Sequence, residues 1–197
     1  MKPVGVILAG GRSSRMGGGQ KGLMLLDGVP MLGRVLTTLK PQTEAVLISS
    51  NGEPALFAEF DAPVLADSVP GYQGPLAGLL TGMLWARQHH PRATHLVSAP
   101  CDCPYLPPDL CARLTKGLSD GGEIAVARDA QRVHPTLGLW PIALTDRLTN
   151  ALVCQGLRRM QTWLAQFSVR EVEFDATYLR NINTPDDLGA APLLHIM

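Results

Sequence analysis

The chain opens on a run, Val4, Gly5, Val6, Ile7 and Leu8, that passes straight into a loop dense in glycine and cation, residues 8–22 reading LAGGRSSRMGGGQKG. The run is short, largely β-branched and bounded by glycine, the pattern of a strand buried in a parallel sheet. Glycine lets the main chain reach positive φ and approach a ligand closely, so that several N–H groups can converge on one set of anionic oxygens. Arg12, Arg15 and Lys21 supply countercharge in the same segment. A loop of this kind behind a strand binds phosphate. It is not a Walker loop, because Lys21 stands between Gln20 and Gly22 where that motif needs Gly-Lys followed by Ser or Thr. Gly17, Gly19 and Gly22 satisfy the GxGxxG spacing, but they begin about nine residues beyond the strand instead of at its end, so that match is chance.

Strand and helix patterns then alternate along the chain, which predicts an α/β fold with a mostly parallel central sheet between two helical layers. Leu32, Val35, Leu36 and Leu39 recur at helical spacing up to Lys40 and Pro41. Residues 45–48, 64–66 and 95–99 read as strands, and residues 75–90 between the last two as a long buried helix with Gly74 and Pro75 at its start. In the second half, 107–118 reads as a helix, 123–128 and 136–140 as strands, 142–153 and 157–167 as helices, and 169–174 as a half-exposed strand. Thr184 and Pro185 read as the N-cap and first turn of a last helix, with Asp186 and Asp187 near its positive end. There is no repeat and no low-complexity linker, and 197 residues suit a single domain spanning 1–197.

Composition excludes several classes. Lys+Arg and Asp+Glu balance at 17 each, so no overall field favours nucleic acid or an anionic membrane. The longest apolar stretch, residues 75–86, is interrupted by Thr81 and Gly82 and falls short of the ~18 residues a membrane span requires. With no small-residue cleavage pattern near residue 1, a cytoplasmic setting is expected. Cys101, Cys103, Cys111 and Cys154 lack the CxxC pairs of zinc sites and are expected to be structural thiols.

Ligands of open α/β sheets sit at the carboxyl ends of the strands. That places the basic loop, Asn51, Asp67 and Asp102 along one edge. Asp102 lies just past a strand end within CDCP and is the best candidate for a magnesium ligand, since Mg²⁺ is commonly held by one or two carboxylates, water and substrate phosphates. Asp67 is the other carboxylate at a strand end. Lys21 suits a single phosphate oxygen as a compact point charge, and Arg15 can grip two at once.

The segment 8–22 resembles the signature of nucleotidyltransferases that activate a phosphorylated acceptor with a nucleoside triphosphate. Within that superfamily five further stretches resemble the molybdenum cofactor guanylyltransferases: Asp67-Ser68, GPLAG at 74–78, PCDCPYLPP at 100–108, His134-Pro135-Thr136, and NINTPDDL at 181–188. The resemblance implies a three-layer Rossmann-like nucleotidyltransferase fold, with an N-terminal half that binds nucleotide and a C-terminal half that binds acceptor. It implies GTP and molybdopterin as substrates, Mg²⁺ as cofactor, and molybdenum cofactor-handling and acceptor proteins as partners. Arg15, Lys21 and Asp102 would be catalytic. Leu8, Ala9, Gly10, Gly11, Lys21, Ser49 or Asn51, Asp67, Gly74, Pro75, Leu76 and Asp102 would meet the nucleotide, and Asn181 and Asn183 the pterin. Relatives often carry Asn at the end of the second strand, where this chain has Ser49 with Asn51 two positions on. No general base is required, because a phosphate monoester is already mostly dianionic at neutral pH. A cytidylyltransferase on the same acceptor, a sugar-phosphate nucleotidyltransferase, and a nucleotide-sensing module without turnover are the rival readings. Lys21, Arg15 and Asp102 together weigh against the last.

Overall fold

The computed structural model describes residues 2–10, 20–71, 74–183 and 187. Gly11, Arg12, Arg15, the GxGxxG glycines Gly17 and Gly19, and the expected helix start at Thr184 and Pro185 lie outside them.

Seven strands form one sheet. In chain order its members are β1 (Val4–Leu8), β4 (Val46–Ser49), β5 (Val64–Leu65), β6 (His95–Pro100), β7 (Ile124–Arg128), β8 (Val133–Pro141) and β9 (Val169–Glu173), ordered β5-β4-β1-β6-β8-β7-β9 across the sheet. The first four are mutually parallel; β8 runs antiparallel to both β6 and β7, and β9 is parallel to β7. The sheet is therefore mostly parallel, as the alternation predicted.

Side chains alternate across β1 and sort the helices into two layers. Ile7 joins a core with Leu32, Val35 and Leu39 of α1 (Met31–Leu39) and Leu110 and Leu114 of α3 (Leu110–Ser119). Val4 and Val6 face the opposite core, with Leu79, Leu80 and Met83 of α2 (Pro75–His89), Leu148 and Leu152 of α4 (Thr145–Val153), and Trp163 of α5 (Met160–Leu164). Helix α2 lies close to the sheet because a Cβ at Gly78 would stand 2.8 Å from Leu8 Cδ2 and 3.0 Å from Ser49 Oγ.

Several boundaries differ from expectation for local reasons. Helix α3 begins at Leu110 and not at 107, because Pro107 and Pro108 precede a turn closed by Leu110 N donating to Pro107 O at 3.2 Å. The helix expected over 157–167 shrinks to Met160–Leu164: Gly156 has φ +65° and Arg159 is extended, so helical backbone starts only after them. Residues 142–144 form a 3₁₀ turn ahead of α4. A small antiparallel hairpin, β2 (Leu25–Leu26) with β3 (Val29–Pro30), was not anticipated. Its turn residues Asp27 and Gly28 both have positive φ, 51° and 77°, the backbone of a two-residue primed turn.

Strand β8 starts at Val133, earlier than the expected 136, and carries an irregularity. Its pairing with β7 jumps from Val126–Gly138 to Ala127–His134, leaving Pro135, Thr136 and Leu137 without partners on β7. Proline has no N–H to lose at such a bulge. Ser98 Oγ donates to Thr136 O at 2.8 Å and accepts Trp140 Nε1 at 2.8 Å, which fixes the bulge from β6.

Candidate active site

The carboxyl ends of β1, β4, β5 and β6 open into a cavity of 460 Å³, a size suited to a small ligand. Leu8, Ala9 and Gly10 form one wall directly after β1. Gly74, Pro75 and Gly78 bring the N-terminal turn of α2 to another, and Pro100, Cys101 and Asp102 continue from β6. Gly74 takes φ +76° as the N-cap, a backbone that residues with a Cβ rarely adopt. The 15-residue helix points its partially positive end at the cavity, favourable for an anion. Of GPLAG, Leu76 does not line the cavity: helical periodicity turns it into the core, where it is fully buried.

Asp67 is held by three contacts. Its Oδ1 accepts Ser49 Oγ at 3.0 Å, its Oδ2 accepts Asn51 Nδ2 at 2.8 Å, and its own N donates to Asn51 Oδ1 at 3.0 Å. Ser49 and Asn51 thus share one task, anchoring Asp67. Ser49 and Asp67 reach the cavity wall, whereas Asn51 stands behind them.

The strongest charges meet at Asp102. Lys21 Nζ donates to Asp102 Oδ2 at 2.6 Å and to Asn183 Oδ1 at 2.7 Å, and the two charged side chains are each 18% exposed. Asn181 Nδ2 donates to Asp102 Oδ1 at 3.3 Å, and Ile182 N to the Asp102 carbonyl at 2.8 Å. Residues 181–183 therefore close onto the β6 end and complete a four-residue centre, Lys21, Asp102, Asn181 and Asn183. The sequence offered both asparagines as acceptor contacts; in the structure they hold the lysine and the carboxylate.

Thr136 and Cys101 also line the cavity. Thr136 is there because of the β8 bulge, and its one signal in the sequence was His134-Pro135-Thr136. Burial pushes the Cys101 thiol up to about 12 and raises Cys103 further, with the Asp102 charge adding to both. His134 is buried with Nε2 2.8 Å from Asp129 Oδ2. That contact, with N–H groups of Arg132 and Gln131 on Oδ1, holds the Asp129 carboxyl down to about 2.

A mostly parallel sheet of this order, with its ligand cavity at the strand ends, is a nucleotidyltransferase fold. Residues 5–169 match the MobA-like NTP transferase domain. The chain is 42% identical over 193 residues to a molybdenum cofactor guanylyltransferase of Rhodopseudomonas palustris, covering 96% of this chain and 90% of that one. It is 44% identical over 201 residues to another from Mesorhizobium japonicum, covering 98% and 96%. The crystal structure of molybdopterin-guanine dinucleotide biosynthesis protein A from Archaeoglobus fulgidus superposes with a TM-score of 0.75 at 24% identity, covering 95% and 96%. The chain belongs to the MobA-like NTP transferase family and, within it, to the molybdenum cofactor guanylyltransferases.

Proposed function

We propose that this chain transfers GMP from MgGTP to the terminal phosphate of molybdopterin, releasing pyrophosphate and forming molybdopterin guanine dinucleotide. The observation that carries the reading is the contact of Lys21 with Asp102 beside a nucleotide-sized cavity at the strand ends. Transfer joins two anions, so its first requirement is cation placed between them.

Nucleotide would lie along Leu8, Ala9 and Gly10, with Gly11 continuing the loop, and against Ser49, Asp67, Gly74 and Pro75. Asp102 suits a hard cation, since it offers carboxylate oxygen at the cavity wall. Mg²⁺ bound there with triphosphate oxygens and water would neutralise phosphate charge. Lys21 would exchange Asp102 for a phosphate oxygen, and Arg15, in the same glycine-rich segment of the sequence, would grip the triphosphate. Asn181 and Asn183 would steady Asp102 and Lys21 through that exchange and meet the pterin of the acceptor. The acceptor oxygen attacks the α-phosphorus without a general base, since it is already ionised at neutral pH.

We read the chain as one domain, with the first half serving nucleotide and the second acceptor. No helix among the described residues is long and apolar enough to cross a membrane. The four cysteines are free, which suits a reducing cytoplasm. Thermal shift with GTP, CTP, ATP and UTP, each with Mg²⁺, tests the nucleotide. At ~100 times Kd a ligand adds about 2.7 kcal/mol of apparent stability, expected for GTP. A larger shift with CTP supports the cytidylyltransferase rival instead, and no shift with any nucleotide removes the reading.

A further inference from the structure

Asn181 is a partition. Its amide donates to Asp102 on the nucleotide side, and it also lines a second cavity, of 520 Å³. One wall of that cavity is the turn between β7 and β8, presenting Gln131 and Arg132; the other is the turn 176–181, with Ala176, Thr177 and Arg180.

The β7–β8 turn is built far beyond what a chain reversal needs. Asp129, with its side chain 8% exposed, accepts Gln131 N and Arg132 N on Oδ1, both at 2.8 Å, and meets His134 Nε2 with Oδ2. Asp129 N donates to Arg132 O at 2.9 Å, so the backbone of Arg132 is gripped at both its N–H and its carbonyl. A tight turn of glycine and asparagine reverses a hairpin with no buried ionisable pair. Here the pair fixes where Arg132 starts, while its guanidinium is left exposed with no hydrogen bond or ion pair among the described residues. The Asp129 carboxylate is already fully engaged.

In-line displacement requires the attacking oxygen to arrive opposite the leaving pyrophosphate. With nucleotide on one side of Asp102, the acceptor would reach the α-phosphorus from elsewhere, and the second cavity adjoins Asp102 through Asn181. We propose that this cavity takes the body of the acceptor, a polar heterocycle with anionic character beyond the reacting phosphate, and that Arg132 is its recognition residue. Gln131, Thr177 and Asn181 offer the donors and acceptors a heterocycle edge needs. The assignment rests on the acceptor reading above.

The test is steady-state kinetics of the wild type, Arg132→Ala, Arg132→Lys and Ala176→Trp with GTP and molybdopterin. Both positions are exposed, so melting temperatures should match the wild type. Losing a charge-assisted contact should raise the KM for molybdopterin roughly tenfold in Arg132→Ala, leaving the KM for GTP within about twofold. Lysine should restore part of the loss, since it keeps the charge without the planar fork. Ala176→Trp, filling the cavity from the other wall, should raise the same KM. An unchanged molybdopterin KM in Arg132→Ala, or a loss confined to kcat, overturns the assignment while turnover by the wild type leaves the function standing. No product from the wild type removes the functional reading, and the acceptor assignment with it.

Discussion

Lys21 Nζ lies 2.6 Å from Asp102 Oδ2, so the cation and the carboxylate assigned to opposite tasks neutralise each other. The lysine occupies an oxygen that a metal ion would use. On the proposed reading, nucleotide with its own divalent cation would resolve both conflicts at once, giving Lys21 a phosphate and Asp102 a metal.

Two outcomes follow for Lys21. Lys21→Ala should fold normally and turn over about 10–100-fold more slowly, the equivalent of a charge-assisted contact of ~1.5–3 kcal/mol. Lys21→Met, without nucleotide, should bind Mn²⁺ more tightly than the wild type, by roughly tenfold for each 1.4 kcal/mol of competition removed. Electron paramagnetic resonance of free Mn²⁺ reads this directly. Equal or weaker Mn²⁺ binding would show that the lysine does not compete.

Asp129 gives a pH dependence with a definite sign. Its carboxyl is lowered from 3.8 to about 2 in the folded protein, first by His134. The stabilisation is therefore complete above pH 3.8 and disappears as the pH falls towards 2. Asp129→Asn should flatten the stability curve in that window. His134→Ala should cost about 1–3 kcal/mol by leaving a buried group short of a partner. Urea melts between pH 2 and 6 measure both, and an acid limb unchanged in Asp129→Asn would assign it to other carboxylates.

Much of this architecture is written locally. The β-branched run at 4–8, the apolar spacing in 32–39 and Gly74-Pro75 ahead of α2 each carry their element, and Asp67 and Asp102 were legible as carboxylates at strand ends. The centre was not legible as a whole. Lys21 meets Asp102 across 81 residues and Asn183 across 162, and no local pattern records contacts that chain closure makes. The bulge that delivers Thr136 and the Asp129–His134 pair depend likewise on register between strands. The β2–β3 hairpin did leave a signal, Asp27-Gly28, but its two-residue strands are too short for alternation to show.

Gly82 tests the packing of α2 on the sheet. A Cβ there would stand 2.8 Å from Val6 Cβ and 3.0 Å from Val6 Cγ2, atoms branched at the backbone that cannot swing aside. Gly82→Ala should lose about 1–3 kcal/mol by overpacking. A neutral result in denaturant melts would mean that the helix can shift away from β1 freely.

The cysteines flanking Asp102 are predicted to be inert. With the Cys101 thiol near 12, and Cys103 also raised, neither presents thiolate at neutral pH. Iodoacetamide on the native protein should modify exposed Cys154 and spare activity. Cys101→Ser with Cys103→Ser should keep the fold and a substantial part of turnover, since Mg²⁺ prefers oxygen to sulfur. Stoichiometric zinc lost together with activity in the double variant would contradict this.

Product analysis reads the proposed guanylyl transfer itself. Purified protein is incubated with GTP, MgCl₂ and molybdopterin, and pyrophosphate and dinucleotide are quantified by mass spectrometry. Molybdopterin guanine dinucleotide and pyrophosphate are expected in equal amounts, lost without Mg²⁺ and in Asp102→Asn. Absence of the dinucleotide, or faster conversion with CTP than with GTP, would contradict it.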